Sequence, residues 1–201
     1  IEDFGSLISL KCEFNQLTSL DLSANTALIY LYCNYNQLTS LDANNPALKM
    51  LSCAHNQLIS LFINTTNALT TLHCANNQLT NLDISDKLDL RDLYCNSNQL
   101  TSLDIRNGNN TNFYHFYGYD NPNLTCISVD DPTWSTANWT LIDSQSYFSS
   151  NCNPSAIKEQ TTNKEILKIT DLLGRETKGN KNKPLLYLYD DGTVEKRITI
   201  D

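Results

Sequence analysis

Leucine recurs along the first 125 residues at nearly fixed intervals, in the pattern L-x-x-L-x-C-x-x-N-Q-L-x-x-L. Copies of this pattern begin at Leu7, Leu28, Leu48, Leu69 and Leu90, at intervals of 20 or 21 residues. A degenerate sixth copy begins at Phe113, with Phe116, Gly118 and Asn121 in the places of leucine, cysteine and asparagine. An amphipathic helix does not require so strict a spacing over this length, so the pattern predicts stacked short repeats.

Each copy is too short to bury its own apolar residues, so the copies must stack. We expect one short parallel strand per turn, centred on residues such as Tyr30 to Cys33, with inward leucines in ladders about 4.8 Å apart. The asparagine that follows each strand is expected to bond the backbone of neighbouring turns. These asparagines are Asn15, Asn36, Asn56, Asn77, Asn98 and Asn121.

The repeated residues resemble the consensus of the leucine-rich-repeat family, in the form with cysteine at the last inward strand position and N-Q-L-T-x-L-D after it. Similar arrays occur in extracellular repeat proteins of Bacteroidetes. The resemblance covers residues 7 to about 125. It implies a leucine-rich-repeat parallel β-solenoid, mostly β and irregular with few helices, and for function it implies a binding scaffold.

The seven cysteines fall into two groups. Five occupy the same inward place of the repeat, namely Cys12, Cys33, Cys53, Cys74 and Cys95. Parallel Cβ vectors along such a ladder disfavour both disulfides and a tetrahedral zinc site, so we expect five buried free thiols. Cys126 and Cys152 lie beyond the repeats and are predicted to form a disulfide that closes a C-terminal cap, stabilising it by about 3 kcal/mol. Because disulfides persist in oxidising compartments, this pair predicts an exported protein.

The sequence predicts three regions, with the repeats in 1–125, the cap in 126–152 and a small antiparallel β segment in 153–201. The cap region is rich in apolar side chains that would cover the last turn. These are Trp134, Trp139, Ile142, Tyr147 and Phe148. The chain begins with Ile1 and no signal-peptide pattern follows, which we interpret as a truncated N-terminus.

Nine of the 14 Lys and Arg residues fall in residues 158–197. Ile166 to Ile169 predicts a strand, and Leu185 to Ile200 predicts a hairpin closed by an Asp-Asp-Gly turn. The blocks LKITDLLGRETKG and LLYLYDDGTVEKRITID resemble the C-terminal sorting domain of type IX secretion substrates. The resemblance implies the secretion machinery as a partner and a location outside the cell or on its outer surface. A second cap or a plain hairpin is the alternative.

The net charge of −8 disfavours nucleic acid and anionic membranes as partners, since both require clustered Lys and Arg. The sequence has no apolar run long enough for membrane insertion. It also lacks G-x-S-x-G, H-E-x-x-H and phosphate-loop motifs, so we predict no enzyme, no cofactor and no metal site. Asp21, Asp42, Asp83 and Asp104 recur at one place and are interpreted as turn formers, with calcium between turns as the alternative.

Strand residues that flank the inward leucine and cysteine point outward, and together with the next place along the chain we expect them to form the concave face of the solenoid. Tyrosine is frequent there, and all three histidines of the chain fall on this face. The predicted ligand-binding residues are Tyr30, Tyr32, Tyr35, His55, His73, Tyr94, His115, Tyr117 and Tyr119. We therefore hypothesise that the face binds a protein or a glycan. The alternatives are a structural surface spacer, whose tyrosines reflect β-propensity alone, and an accessory module of a larger enzyme.

Overall fold

The chain folds into two compact units, Ile1–Cys152 and Asn153–Asp201. A computed structural model of the chain describes residues 4–152, 166–171, 175–177, 184–189 and 194–198. The first unit is a parallel β-solenoid built from leucine-rich turns, as the sequence predicts, and its described residues 4–152 contain one α-helix.

The first unit is built on a six-stranded parallel sheet to which each leucine repeat contributes one strand. Its strands are Ser9–Lys11, Tyr30–Tyr32, Met50–Ser52, Thr71–His73, Asp92–Tyr94 and His115–Tyr117. The central residues pair in register from Leu10 with Leu31 through to Leu93 with Phe116. The inward leucine ladder is therefore confirmed.

A second set of parallel strands follows the first in the solenoid turns, which the prediction of one strand per turn omitted. Ser40–Asp42 pairs with Ser60–Phe62 as a two-stranded sheet. A four-stranded sheet contains Asn81–Asp83, Ser102–Asp104, Cys126–Ser128 and Tyr147–Ser149. Each strand is only three residues long, too short for an alternating hydrophobic pattern to reveal it.

The core lies between these two sets of strands and consists of the repeated leucines and cysteines. Leu31, Leu51, Leu72 and Leu93 are fully buried. The asparagine ladder satisfies the backbone where the strands end. Asn77 shows the arrangement, since its Oδ1 accepts from the Leu58 N–H at 3.0 Å and its Nδ2 donates to the Cys53 and Cys74 carbonyls, each at 3.1 Å. From Asn36 onward, each asparagine of the ladder therefore bonds its own turn and the preceding turn.

The sixth turn fills its core with residues that differ from those of the other turns. Phe116 takes the place of the inward leucine, and Gly118 takes the place of the cysteine. A Cβ atom built on Gly118 would lie 2.8 Å from Cζ of Phe116, which is a clash. The phenyl ring thus fills the space that a cysteine occupies in the other turns.

The C-terminal end of the first unit is closed by an α-helix, a disulfide and a carboxylate. The helix Pro132–Asn138 begins at Asp131, whose side chain accepts from two backbone N–H groups of its first turn. After the helix, Trp139 is 6% exposed and packs on the Phe116 ring at 4.7 Å. Cys126 and Cys152 form the predicted disulfide, with Cα atoms 5.6 Å apart. A short 3₁₀ helix at Asn110–Asn112 precedes the sixth turn.

Asp143 replaces the backbone of a further turn. In a regular turn the N–H groups of Tyr35 and Asn36 donate to carbonyls of the next turn, at 3.0 and 3.3 Å. In the sixth turn the equivalent N–H groups of Asp120 and Asn121 donate to the two carboxylate oxygens of Asp143, at 2.9 and 2.7 Å. One side chain thereby ends the hydrogen-bond ladder.

The second unit contains a three-stranded antiparallel sheet, in agreement with the predicted β tail. Its strands are Ile166–Asp171, Pro184–Tyr189 and Val194–Ile198, with Pro184–Tyr189 in the centre. Lys168 and Glu176 form an ion pair at 2.8 Å. The predicted Asp190-Asp191-Gly192 turn lies outside the described residues.

Candidate ligand-binding face

The exposed face formed by the six-stranded sheet and the residues that follow its strands carries the predicted binding residues in columns that run from turn to turn. In-register pairing places equivalent residues of successive turns side by side, as with His73 and Tyr94. Two separate aromatic groups result. We call Phe14, Tyr35 and His55 the N-terminal stack, and His73, Tyr94, His115, Tyr117 and Tyr119 the C-terminal patch.

The N-terminal stack is a column of nearly parallel rings. The ring centroids of Phe14 and Tyr35 are 4.5 Å apart with an interplanar angle of 10°, and those of Tyr35 and His55 are 4.2 Å apart at 8°. All three side chains are exposed. Stacking covers most of the ring faces, so the column presents ring edges and the tyrosine hydroxyl to solvent.

The backbone under this stack is unusual for aromatic residues. Phe14, Tyr35 and His55 have φ between 53° and 54°, in the left-handed region. Their equivalents in later turns are Asn76, Ser97 and Asp120, with φ of 55° to 56°. Asparagine and aspartate tolerate this conformation better than bulky residues do. Aromatic residues are thus used at exposed positions where the backbone favours small polar ones.

The C-terminal patch lies on strands, except for Tyr119, and combines aromatic rings with titratable groups. His73 meets the Tyr94 ring edge-on at 4.0 Å, and Tyr94 stacks on Tyr117 at 4.8 Å and 13°. Tyr119 meets Tyr117 edge-on at 6.4 Å. Burial, Asp92 and Tyr117 raise the pKa of Tyr94. Its hydroxyl therefore remains protonated at neutral pH.

Asp92 is the carboxylate at the centre of the C-terminal patch. Its Oδ1 lies 2.7 Å from Nδ1 of His115, and its Oδ2 accepts a longer hydrogen bond of 3.4 Å from the Thr71 hydroxyl. Burial lowers the pKa of His73, an effect that Asp92 opposes and His115 reinforces. The patch therefore combines a carboxylate in contact with the His115 imidazole and a second imidazole, His73, on which that carboxylate acts electrostatically.

Tyr30 and Tyr32 belong to neither aromatic group. Tyr30 is 40% exposed at the edge of its strand. The Tyr32 hydroxyl donates to Sδ of Met50 at 3.2 Å, and Nζ of Lys11 lies 5.2 Å from the ring centroid. No ring contact joins His55 to the C-terminal patch within residues 4–152. The predicted set is thus divided into two groups and two separate tyrosines.

Phe14 and Asp92 were missing from the predicted binding set, although the sequence contains the signal for both. Phe14 occupies the same repeat position as Tyr35 and His55. Asp92 occupies the same position as His115, one turn earlier, and in-register pairing brings the two together. Comparing equivalent positions of neighbouring turns would have found them.

The thiols of the ladder are placed for packing. The structure describes all five as free, and four of them are buried. Burial is the main cause that raises the pKa of Cys33 and Cys74 to about 12, so neither provides a thiolate at neutral pH. Cys12 is the exception to the predicted burial, because it directly follows Ser9–Lys11, the first strand of the sheet, and is only partly covered.

The repeated aspartates bond the backbone that follows them. Oδ1 accepts from the N–H two residues later in Asp21, Asp42, Asp83 and Asp104, at 2.9 to 3.1 Å. This geometry is that of turn-forming aspartates. In the described part of the chain, no group of three or more His, Cys, Asp or Glu side chains is arranged to hold a metal ion.

Solved structures that resemble this chain include a domain with a cysteine ladder. The functional domain of InlJ from Listeria monocytogenes, described as including a cysteine ladder, is 26% identical in sequence. The match covers 71% of this chain and 38% of that chain, with a TM-score of 0.38. This chain thus spans well under half the length of that structure. The sequence matches no known family profile and no curated protein.

In the part of the chain that the structure describes, no helix has the length and apolar character required to cross a bilayer.

Proposed function

We propose that this protein is a binding module that recognises a protein or a glycan through the exposed face of its six-stranded sheet. The observation that carries the proposal is the N-terminal stack. Three consecutive turns place an aromatic ring at an exposed left-handed position, where later turns use asparagine, serine and aspartate. A left-handed conformation costs a non-glycine residue about 1 kcal/mol or more. An exposed ring at such a cost is better explained by a ligand than by strand propensity.

The C-terminal patch supports the same proposal. Tyrosine and histidine combine an apolar ring with a polar tip, and binding surfaces are enriched in such groups. Catalysis is less well supported. Asp92, which contacts His115, accepts its other hydrogen bond from the Thr71 hydroxyl at 3.4 Å. Burial raises the pKa of the Cys33 and Cys74 thiols. A strong nucleophile is therefore not placed beside the imidazole.

The test uses an array of immobilised glycans and a phage-displayed peptide library as probes. Two double variants replace aromatic residues of the face with the residue that another turn has at the equivalent position. Tyr35→Asn with His55→Asn introduces the residue type of Asn76. Tyr94→Ser with Tyr117→Ser introduces that of Ser52, which lies in the same column. Tyr147→Ser is the control, since Tyr147 is 53% exposed on the other sheet.

We expect the wild-type chain to bind members of at least one probe class, and at least one face variant to lose about tenfold in affinity while the control does not. Loss of two aromatic anchors at an interface typically costs at least this much. If no probe binds, or if the face variants bind as tightly as the wild type while remaining folded, the proposal is wrong and the surface-spacer alternative is preferred.

The proposal extends to location outside the cell. The Cys126–Cys152 disulfide supports this, because such bonds persist in oxidising compartments. The resemblance of the C-terminal blocks to type IX sorting domains supports export through that machinery, followed by release or surface attachment. Residues 153–201 fused to a reporter should then direct it out of a bacterium with type IX secretion. Retention of the fusion inside such cells would reject this part of the proposal.

A further inference from the structure

The charge of the two units differs sharply. Residues 1–152 contain five Lys and Arg against fourteen Asp and Glu, a balance of −9, whereas residues 153–201 contain nine against eight, a balance of +1. Two of the five cations of the first unit are already paired, Lys87 with Asp86 and Arg106 with Asp104. The solenoid therefore has an excess of negative charge.

On the exposed face, this charge is concentrated at the C-terminal patch. From the turn that begins at Leu69 onward, the face carries the carboxylates of Asp92 and Asp120. Arg91 precedes Asp92 in sequence, but its guanidinium lies over the Tyr114 ring, 5.9 Å from the centroid. Among the described outward positions of these turns there is no Lys or Arg. The patch is thus acidic and aromatic at the same time.

The ring geometry and the carboxylates of the patch together favour one ligand class. Sugars contact aromatic rings through the faces, but in the Tyr94–Tyr117 stack each ring covers one face of the other. The edges and hydroxyls remain, and Tyr117 is partly exposed on the last strand of this sheet in the described chain. A planar cation can pack against a partly exposed tyrosine ring and also donate to a carboxylate.

We infer that the C-terminal patch binds an extended, arginine-containing peptide segment of a partner protein. Guanidinium groups pack against Tyr117 and donate to the lone pairs of Asp92 that His115 and the Thr71 hydroxyl leave free. The patch extends over three neighbouring strands, about 10 Å across, which exceeds the size of one guanidinium. A peptide chain carrying more than one cation therefore fits better than a single small cation. This inference rests on the proposed function, because it names the ligand class for the same face.

The experiment uses the full chain and a fluorescein-labelled nonapeptide of alternating serine and arginine, measured by fluorescence anisotropy. Matched nonapeptides replace arginine with lysine or glutamate, and neutral oligosaccharides form a further arm. Asp92→Asn removes the central carboxylate. Asp83→Asn removes the same charge from the other sheet and keeps the acceptor that Ser85 N–H uses at 2.9 Å.

We expect the arginine peptide to bind more tightly than the lysine peptide, and the glutamate peptide not to bind. Asp92→Asn should weaken arginine-peptide binding about tenfold, as for the loss of one hydrogen-bonded charge, and Asp83→Asn should leave it nearly unchanged. Added salt should weaken binding as well.

Three outcomes would overturn the inference. Equal binding of the arginine and glutamate peptides is one, and equal weakening by Asp92→Asn and Asp83→Asn is another. The third is binding of neutral oligosaccharides alone, lost in the Tyr94→Ser, Tyr117→Ser variant. That result would support the proposed function but reject a peptide as the ligand of the C-terminal patch. If neither peptides nor glycans bind, both the inference and the proposed function fail.

Discussion

The regular turns and the closing region of the solenoid meet the same requirements by different means. A regular turn uses leucine, cysteine and asparagine, and it finds its backbone partners in the next turn. The closing region has Phe116 and Gly118 in the core and the Asp143 carboxylate in place of two carbonyls. Repetition therefore supplies stability only where a neighbour exists, and the end must be built from individually fitted side chains.

The largest expected effect lies in the regular turns, where one side chain serves several buried backbone groups. Asn77→Ala would leave the buried Leu58 N–H and three carbonyls without this partner. Each unsatisfied buried group costs about 1 to 3 kcal/mol, so we expect a loss of about 3 to 5 kcal/mol. Urea unfolding followed by far-UV circular dichroism would measure it.

Asn15→Ala is the matched control for this prediction. Asn15 occupies the same repeat position but is exposed, and its amide donates only to the Cys12 and Glu13 carbonyls of its own turn. We expect its replacement to cost less than about 1 kcal/mol, since water can take over these bonds. Equal losses in the two variants would contradict the role assigned to the buried ladder.

The second prediction concerns the fitted core of the closing region. Gly118→Cys restores the repeat consensus but places a side chain against the Phe116 ring, whose Cζ lies 2.8 Å from the position of a Cβ. Overpacking of this kind costs about 1 to 3 kcal/mol. Trp134 and Trp139 both lie in this region, so tryptophan fluorescence during urea unfolding reports on it directly.

The double variant Phe116→Leu, Gly118→Cys distinguishes a packing effect from a requirement for glycine. If the two residues share one volume, the double variant should recover most of the stability lost in Gly118→Cys. If it is as unstable as the single variant, the phenyl ring is not the reason for glycine at this position.

The sequence predicts those parts of the molecule that repetition determines. Register, the leucine ladder and the asparagine ladder follow from a spacing that recurs in turn after turn. Features that depend on single positions were not found in this way. Lys87 has a fully buried side chain, and its ammonium lies 2.7 Å from Asp86, although nothing in the local pattern distinguishes it from a surface lysine.

The candidate site was predicted in composition but not in arrangement. Histidines and tyrosines were expected on one continuous face, yet they form two groups because different repeat positions carry the rings in the two halves. Phe14, Tyr35 and His55 follow the strand at left-handed residues, whereas His73, Tyr94 and Tyr117 lie on strands. The left-handed conformation is a property of the turn, and the strand periodicity used for the prediction does not contain it.

The smallest expected effect concerns pH and the column His73, Tyr94 and Tyr117, which connects the regular turns to the closing region. Burial lowers the pKa of His73 below its ordinary value of 6.5, so in the folded protein this imidazole binds a proton less readily than in the unfolded chain. Stability from the neutral imidazole is present above pH 6.5 and is lost as the pH falls below it toward the folded pKa. His73→Gln keeps a polar side chain without this titration, so its unfolding free energy should decrease less than that of the wild type over this pH range. Urea midpoints on both sides of pH 6.5 measure the difference.

The opposite result is a steeper decrease of the unfolding free energy at acid pH in His73→Gln than in the wild type. It would show that the attraction of Asp92 outweighs burial at His73, so that the pKa of this histidine is raised instead of lowered.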